Sequence, residues 1–284
     1  MSKRFRRYLV FTAGLTYILM LLGIFTASFG AGLTCGQRWP FCDGWMGLFP
    51  ATIPSFVEWF HRLVAMVTGF VILGGAYAGW QYQDDRRVAY SITLAVVLLP
   101  VQIGLGAVTV TLNGLLPWGY APIVQLLHYV VALSILGLLT VATARTLATS
   151  ATDRVGRWMR VGLTGVLLAI PLQYLFSFNT VFAFTPTVQI IYYALLLGMF
   201  AVLVAVAVWS GFSTGANRIR WLAGCGTLIL GTQMLVARRL WGAVPAGVVD
   251  GLTALLVVVV AIAVWLVHRG GPIEPPGGEQ STTR

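Results

Sequence analysis

Charge is what this 284-residue sequence has least of. Asp, Glu, Lys and Arg make up 9% of it, against about 25% in an average soluble domain. With 58% hydrophobic residues and a mean hydropathy of +0.86, this scarcity excludes a soluble or disordered chain and indicates a polytopic membrane protein. Acid is scarcer than base, 8 against 18 residues, and the net charge is +10. The excess base does not gather into one patch, so no nucleic-acid partner is expected. It falls at the ends of apolar segments, as the positive-inside rule requires. Three cysteines are too few for a disulfide scaffold. Histidine is equally sparse: His61, His128 and His268.

What the chain does have is long apolar runs. Eight are long enough to cross a bilayer as helices: 8–30, 56–80, 88–111, 121–148, 157–178, 186–210, 218–236 and 246–267. The basic cluster before the first resembles a signal-peptide start. The apolar core behind it is too long for one, however, and lacks a convincing cleavage site, so a retained helix is expected. Arg86, Arg87, Arg145, Arg154, Arg157, Arg160, Arg218 and Arg220 share a side with the N-terminus, whereas Arg38, Arg238 and Arg239 lie opposite. That bias predicts both termini inside and a multi-pass protein of the cell membrane. The 271–284 tail, rich in Gly and Pro, reads as disordered.

The order of residues also suggests a duplication. Pro54 precedes His61 by seven residues and Pro186 precedes Tyr193 by seven; Gln102 in the third run is matched by Gln233 in the seventh. The fourth run opens Pro122…His128 and the eighth Pro245…Asp250. The fold class that follows is an all-α membrane protein of two pseudo-repeated four-helix bundles, 1–150 and 151–270. Each bundle has inward-facing polar positions on its even-numbered helices, and only the first has histidines there.

The costliest residues are Glu58, His61 and Arg62, at the start of the second run. A charge within the bilayer costs at least about 2.5–3.5 kcal/mol, and helical spacing puts all three near one face. His61 and His128 each lie six or seven residues in from a proline, about 10 Å deep. Their helices run in the same direction, so the two imidazoles form a candidate pair of axial ligands to haem iron. The alternative is histidines that hydrogen-bond to neighbours in a polar cavity. Arg62 suits a haem propionate, or an ion pair with Glu58, or snorkelling to the interface. Glu58 suits proton relay beside a metal centre.

Cys35 and Cys42 bracket a loop short enough for a small ring. A disulfide fits an outer compartment, and two free thiols remain the other reading. A zinc site is not supported, since no further Cys or His occupies that loop. Cys225 reads as a small buried hydrophobe and His268 as an interfacial anchor. Tyr192, Tyr193 and Asp250 either line a pocket or mark a second site. Asp250 needs a partner, with Arg238 or Arg239 as candidates.

The stretch Gly30-Ala31-Gly32-Leu33-Thr34-Cys35…Trp39-Pro40-Phe41-Cys42-Asp43-Gly44, followed by Glu58-x-x-His61-Arg62, resembles the haem A synthase family. So do Gln102-x-Gly104-x-Gly106-Ala107-x-Thr109-Val110 and Leu127-His128. The resemblance covers the first 150 residues; beyond them only helix count and layout agree. It implies an oxidoreductase that converts haem O to haem A for terminal oxidase assembly by oxidising a ring methyl to a formyl group, with water or oxygen as oxygen source. Carried over, His61 and His128 flank the substrate iron, and Glu58 is the catalytic carboxylate. Cys35 and Cys42 are the family's loop pair. The implied partners are haem O, haem O synthase, the oxidase assembly machinery and membrane lipid. An unspecified electron donor and a homo-oligomer are both compatible with this.

The family's second half carries another histidine pair, which usually ligates haem B. Here Tyr193 and Asp250 stand in those places, which is not an expected low-spin pair, so a second haem is not expected. Two other functions fit the same residues: a non-catalytic haem-binding assembly factor, and a b-type electron-transfer cytochrome.

Overall fold

A computed structural model describes residues 3–38, 41–47, 49–111, 122–177, 180–238 and 246–269. The 271–284 tail, Pro245 and Arg239 lie outside these. Eight helices, each long and apolar enough to cross a membrane, carry the fold: α1 (Lys3–Ser28), α2 (Ile53–Tyr82), α3 (Arg86–Thr111), α4 (Pro122–Ser150), α5 (Val155–Leu175), α6 (Pro186–Trp209), α7 (Asn217–Ala237) and α8 (Ala246–Arg269). Among the described residues there is no strand. The apolar runs therefore place every helix correctly, and the helices differ from them only by about a turn or so at some ends.

The matched prolines mark one local device used twice. Thr52 caps α2, its hydroxyl accepting from Ser55 N at 3.3 Å. Thr185 caps α6 in the same way, accepting from Val188 N at 3.4 Å. Each cap satisfies a backbone donor left over at the first turn, and the proline that follows fills a position where no N–H is needed. At the other end of the bundle, Asp85 in the α2–α3 turn accepts from Arg87 N at 3.0 Å and pairs with Arg145 of α4 at 2.7 Å.

Packing follows two rings. Helices α1, α2, α3 and α4 close one by successive contact, and α5, α6, α7 and α8 close the other. Helix α6 joins the rings by packing on α1 and α4. Two hydrogen bonds fasten the seam: Tyr17 Oη to Ala194 O at 2.8 Å, and Trp209 Nε1 to Ala144 O at 3.1 Å. The rings are not equivalent in burial. Over its most apolar stretch α6 is 56% buried and α3 only 11%, so α6 is a central helix and α3 a peripheral one.

The position of the core decides where a site can be. The second ring is packed through, with Met159, Leu163, Tyr193, Leu197, Leu230 and Leu256 in one continuous cluster. The first ring has its own cluster only at the end away from the Cys35–Cys42 loop: Phe5, Leu9, Ile72, Val88, Ile92 and Leu139. On the side of the loop, α3 has no buried residue beyond Ala95, and α2 has none between Glu58 and Thr68. This gap in the packing holds His61, Gln102 and His128.

Candidate functional site

Glu58 is 3% exposed, and both of its oxygens are engaged. One pairs with Arg62 Nη2, a helical turn further along α2. The other accepts from Cys35 N at 2.7 Å and Thr34 Oγ1 at 3.0 Å. Arg62 Nη2 also donates to Gly36 O at 2.8 Å; Gly36 has a φ of 57°, a turn conformation that glycine adopts without strain. The carboxylate and the guanidinium thus tie the loop to α2 directly beside His61. Cys35 and Cys42 are joined by a disulfide and both are buried. Asp43 closes the far side of the loop, accepting from Ser55 Oγ at 2.6 Å and Ala51 N at 3.1 Å. These two bonds, the Ser55 one foremost, hold its carboxyl below the usual carboxylate range.

The histidines sit beneath this loop in places cleared by glycine. A Cβ on Gly23 of α1 would come within 3.0 Å of His61 Cε1, and one on Gly106 of α3 within 3.4 Å of His128 Cε1. The Nδ1 atoms of both rings are buried without a hydrogen-bond partner, as is Arg62 Nη1. Gln102 Nε2 lies 3.2 Å from His128 Nε2, and its own Oε1 is buried and unpartnered. Buried polar atoms without partners are rare in folded proteins, and four of them converge on this one gap.

Among the described residues, no three His, Cys, Asp or Glu side chains gather as they would around a bare metal ion. A metal held by His61 and His128 would need its other ligands from elsewhere, as a macrocycle supplies them. The residues therefore fit a haem, with an imidazole from α2, another from α4, and free donors at the rim.

The second ring does not fit one. Tyr193 is fully buried, donating to Met234 O at 3.2 Å, with its ring 6.3 Å from that of Tyr129. Gln233 Nε2 donates to Tyr192 Oη, Thr253 Oγ1 and Gln173 Oε1 at 3.2–3.4 Å, filling the space with a hydrogen-bonded network. The pairing of Gln102 with Gln233 has a spatial counterpart, since each reaches the helix that follows it in sequence.

The structure corrects three sequence expectations. Asp250 does not face inward: it is exposed and accepts from Tyr174 Oη at 3.1 Å. The buried stripe of α8 runs through Val249, Thr253, Leu256 and Val260, and Asp250 lies about 100° off that stripe. Its partner is accordingly Tyr174 and not Arg238, which turns towards Tyr193. Cys225 is exposed rather than buried, because the inward positions of its helix fall at Ala223 and Gly226. His268, by contrast, is exposed at the end of α8 beside Arg269, which stacks on Trp265 at 4.4 Å, an arrangement of the expected interfacial type.

Residues 46–176 match the family described as cytochrome oxidase assembly protein. Similar proteins include the haem A synthase of Bacillus licheniformis, 28% identical over 175 residues, covering 59% of this chain and 55% of that one. The haem A synthase of Alkalihalophilus pseudofirmus is 30% identical over 130 residues, or 45% of this chain and 42% of that one. Over this stretch the chain is similar to haem A synthases. A third relative, the protoheme IX farnesyltransferase of Halobacterium salinarum, is 36% identical over 132 residues, 46% of this chain. The chain spans only 28% of that relative's length. The family match contains Glu58, His61, Arg62, Gln102 and His128 and ends at the close of α5, before the second ring is complete.

The loop anchors were not visible in the sequence. Thr34, the Cys35 N–H and Gly23 reach the site only through tertiary contact. The one available signal was that Glu58 lay one turn from Arg62, and of the three roles open to Arg62 the ion pair is the one present.

Proposed function

We propose that this chain is a multi-pass oxidoreductase of the cell membrane that oxidises the methyl group of haem O to the formyl group of haem A for terminal oxidase assembly. The carrying observation is the pair of histidines in a loosely packed part of the first ring, roofed by a loop that Glu58 and a disulfide hold in place. The histidine pair, the Glu58–Arg62 unit and Cys42 all fall close to or within the stretch that matches the family. In this reading residues 1–150 are the haem-bearing half, 151–270 a packed half without a haem, and both termini are cytoplasmic.

His61 and His128 would hold the substrate through its iron, which supplies the redox chemistry when bound. Arg62 Nη1 is the free donor for a carboxylate at the porphyrin edge. Glu58 is the catalytic carboxylate, held beside the histidines by Arg62 and the loop. Changing CH3 to CHO with water as oxygen source releases four electrons and four protons; the residues of this site bear on the protons, and the electrons leave to an acceptor outside the chain. A haem O synthase is the natural supplier, in keeping with the farnesyltransferases among the relatives.

One observation favours a second reading, a haem carrier without catalysis: both Glu58 oxygens already have partners. Co-expression with a haem O-producing enzyme separates the two. Extraction should yield haem A, and haem O alone would sink the enzymatic claim. Glu58→Gln keeps the shape of the loop anchor, whereas truncation would strand a buried Arg62 at a cost of about 3–5 kcal/mol. We expect that variant to retain haem and lose product by about a hundredfold, the low end for a general acid–base group. Product at the normal rate would remove Glu58 from the chemistry.

A further inference from the structure

Arg238 is an expensive residue that the proposed reaction does not use. It follows α7 as its capping residue and is partly buried. The ion pairs among the described residues are Arg62–Glu58, Arg145–Asp85 and Arg154–Asp153, and none of them includes Arg238. Asp250, the acid that might have met it, is bonded to Tyr174 on an exposed face. An arginine at the end of a membrane helix commonly snorkels to the interface or caps the helix carbonyls. This one is directed into the bundle.

Its direction follows from the α7 register. Met234 lies one turn before Arg238 on the same face. Met234 receives two hydroxyls from neighbouring helices: Tyr129 Oη reaches its Sδ at 3.3 Å and Tyr193 Oη its carbonyl at 3.2 Å. Arg238 therefore sits one turn above the Tyr129–Tyr193 pair, towards the disulfide end, with the Tyr193 hydroxyl within its reach. Tyr129 is the residue after His128, and Arg238 lies within electrostatic reach of His128 itself. The second ring thus sends one cation across the seam to the rim of the first ring's site. Arg62, on α2 beside His61, keeps a buried Nη1 with no partner. Arg62 meets Glu58 through Nη2 alone and Arg238 is in no ion pair among the described residues, so the donors these two guanidinium groups keep free call for a ligand that brings its own negative charge.

We propose that Arg238 is a carboxylate anchor contributed by the C-terminal half, acting with Arg62 to bind the two acidic side chains of a planar macrocycle held between His61 and His128. This rests on the haem reading of the histidine pair. It assigns the second ring, which has no ligand pair of its own, a part in the first ring's site: Tyr193, on the helix that matches α2, orients the guanidinium instead of binding a metal.

The test is a titration of the intact chain in detergent with two probes, haemin and haemin dimethyl ester, followed by Soret absorbance. Arg238→Gln should weaken haemin binding by about tenfold, as expected for loss of one charge-assisted contact, and leave the ester, which has no free carboxylate, unchanged. Arg238→Lys should restore part of the loss. Equal affinity of Arg238→Gln and the unsubstituted chain for haemin would overturn the assignment. So would an equal loss for both probes, which would mark a packing role. If the unsubstituted chain binds neither probe, the haem reading itself falls, a result distinct from either.

Discussion

At the level of single residues, the site is defined by which polar atoms have partners. Glu58 has three, so its placement is fixed by structure before any chemistry begins. The Nδ1 atoms of His61 and His128 have none, and no stability argument accounts for leaving them buried. Asp43 gives the loop above them a measurable signature. Ser55 and Ala51 bond its ionised form, so its folded pKa is below the unfolded value of about 3.9. The anchor is complete above that value and is lost as pH falls through the lowered folded pKa. Hydrogen exchange at Ala51 should therefore accelerate on acidification below about pH 4, and Asp43→Asn should remove that pH dependence. Protection at Ala51 that is indifferent to acid in the unsubstituted chain would show that Asp43 does not hold the loop.

At the level of elements, the site depends on close approach between helices. Gly23 lets α1 come near the His61 ring, and Gly106 does the same for α3 and His128. Alanine at 23 would put a methyl 3.0 Å from His61 Cε1, a distance that forces the imidazole to shift. Overpacking of this kind costs about 1–3 kcal/mol, or roughly a tenfold or greater loss of haem affinity. Gly14→Ala is the matched control on the same helix, because a Cβ there meets nothing within 4 Å. Titration of both variants decides the matter, and equal affinities would mean that the His61 ring is not positioned by α1. The helices themselves were legible: twenty-residue apolar runs, proline at three starts and basic residues at the ends leave little freedom. The facing of α8 was not legible. Asp250 and Val249 are neighbours in sequence, and only packing against α5 and α7 determined which of them turns inward.

At the level of the whole molecule, the two rings differ in what fills them. In the second, Tyr192, Gln173, Gln233 and Thr253 form a hydrogen-bonded interior against which the Tyr193 ring packs, and α6 is at once its centre and its seam with the first ring. Opening that interior for a macrocycle would break the contacts joining the halves. One haem per chain is therefore expected from a pyridine haemochrome assay against protein mass. A ratio of two would refute the packing role assigned to Tyr193.

The sequence by itself determined the membrane class, the eight helices and the small set of ionisable residues, because burial of charge in lipid is so costly that each exception stands out. It also offered the Glu58–Arg62 pair, one helical turn apart, as one of three roles for Arg62. Tertiary structure decided the rest. Whether Cys35 and Cys42 join, that the Thr34 hydroxyl and Cys35 N–H close on Glu58, that α3 stays loosely packed while α6 is enclosed, and that Asp250 meets Tyr174 all depend on contacts between segments far apart in the chain. Helical periodicity states which side a residue is on but not what lies opposite, and what lies opposite is what makes this gap a site.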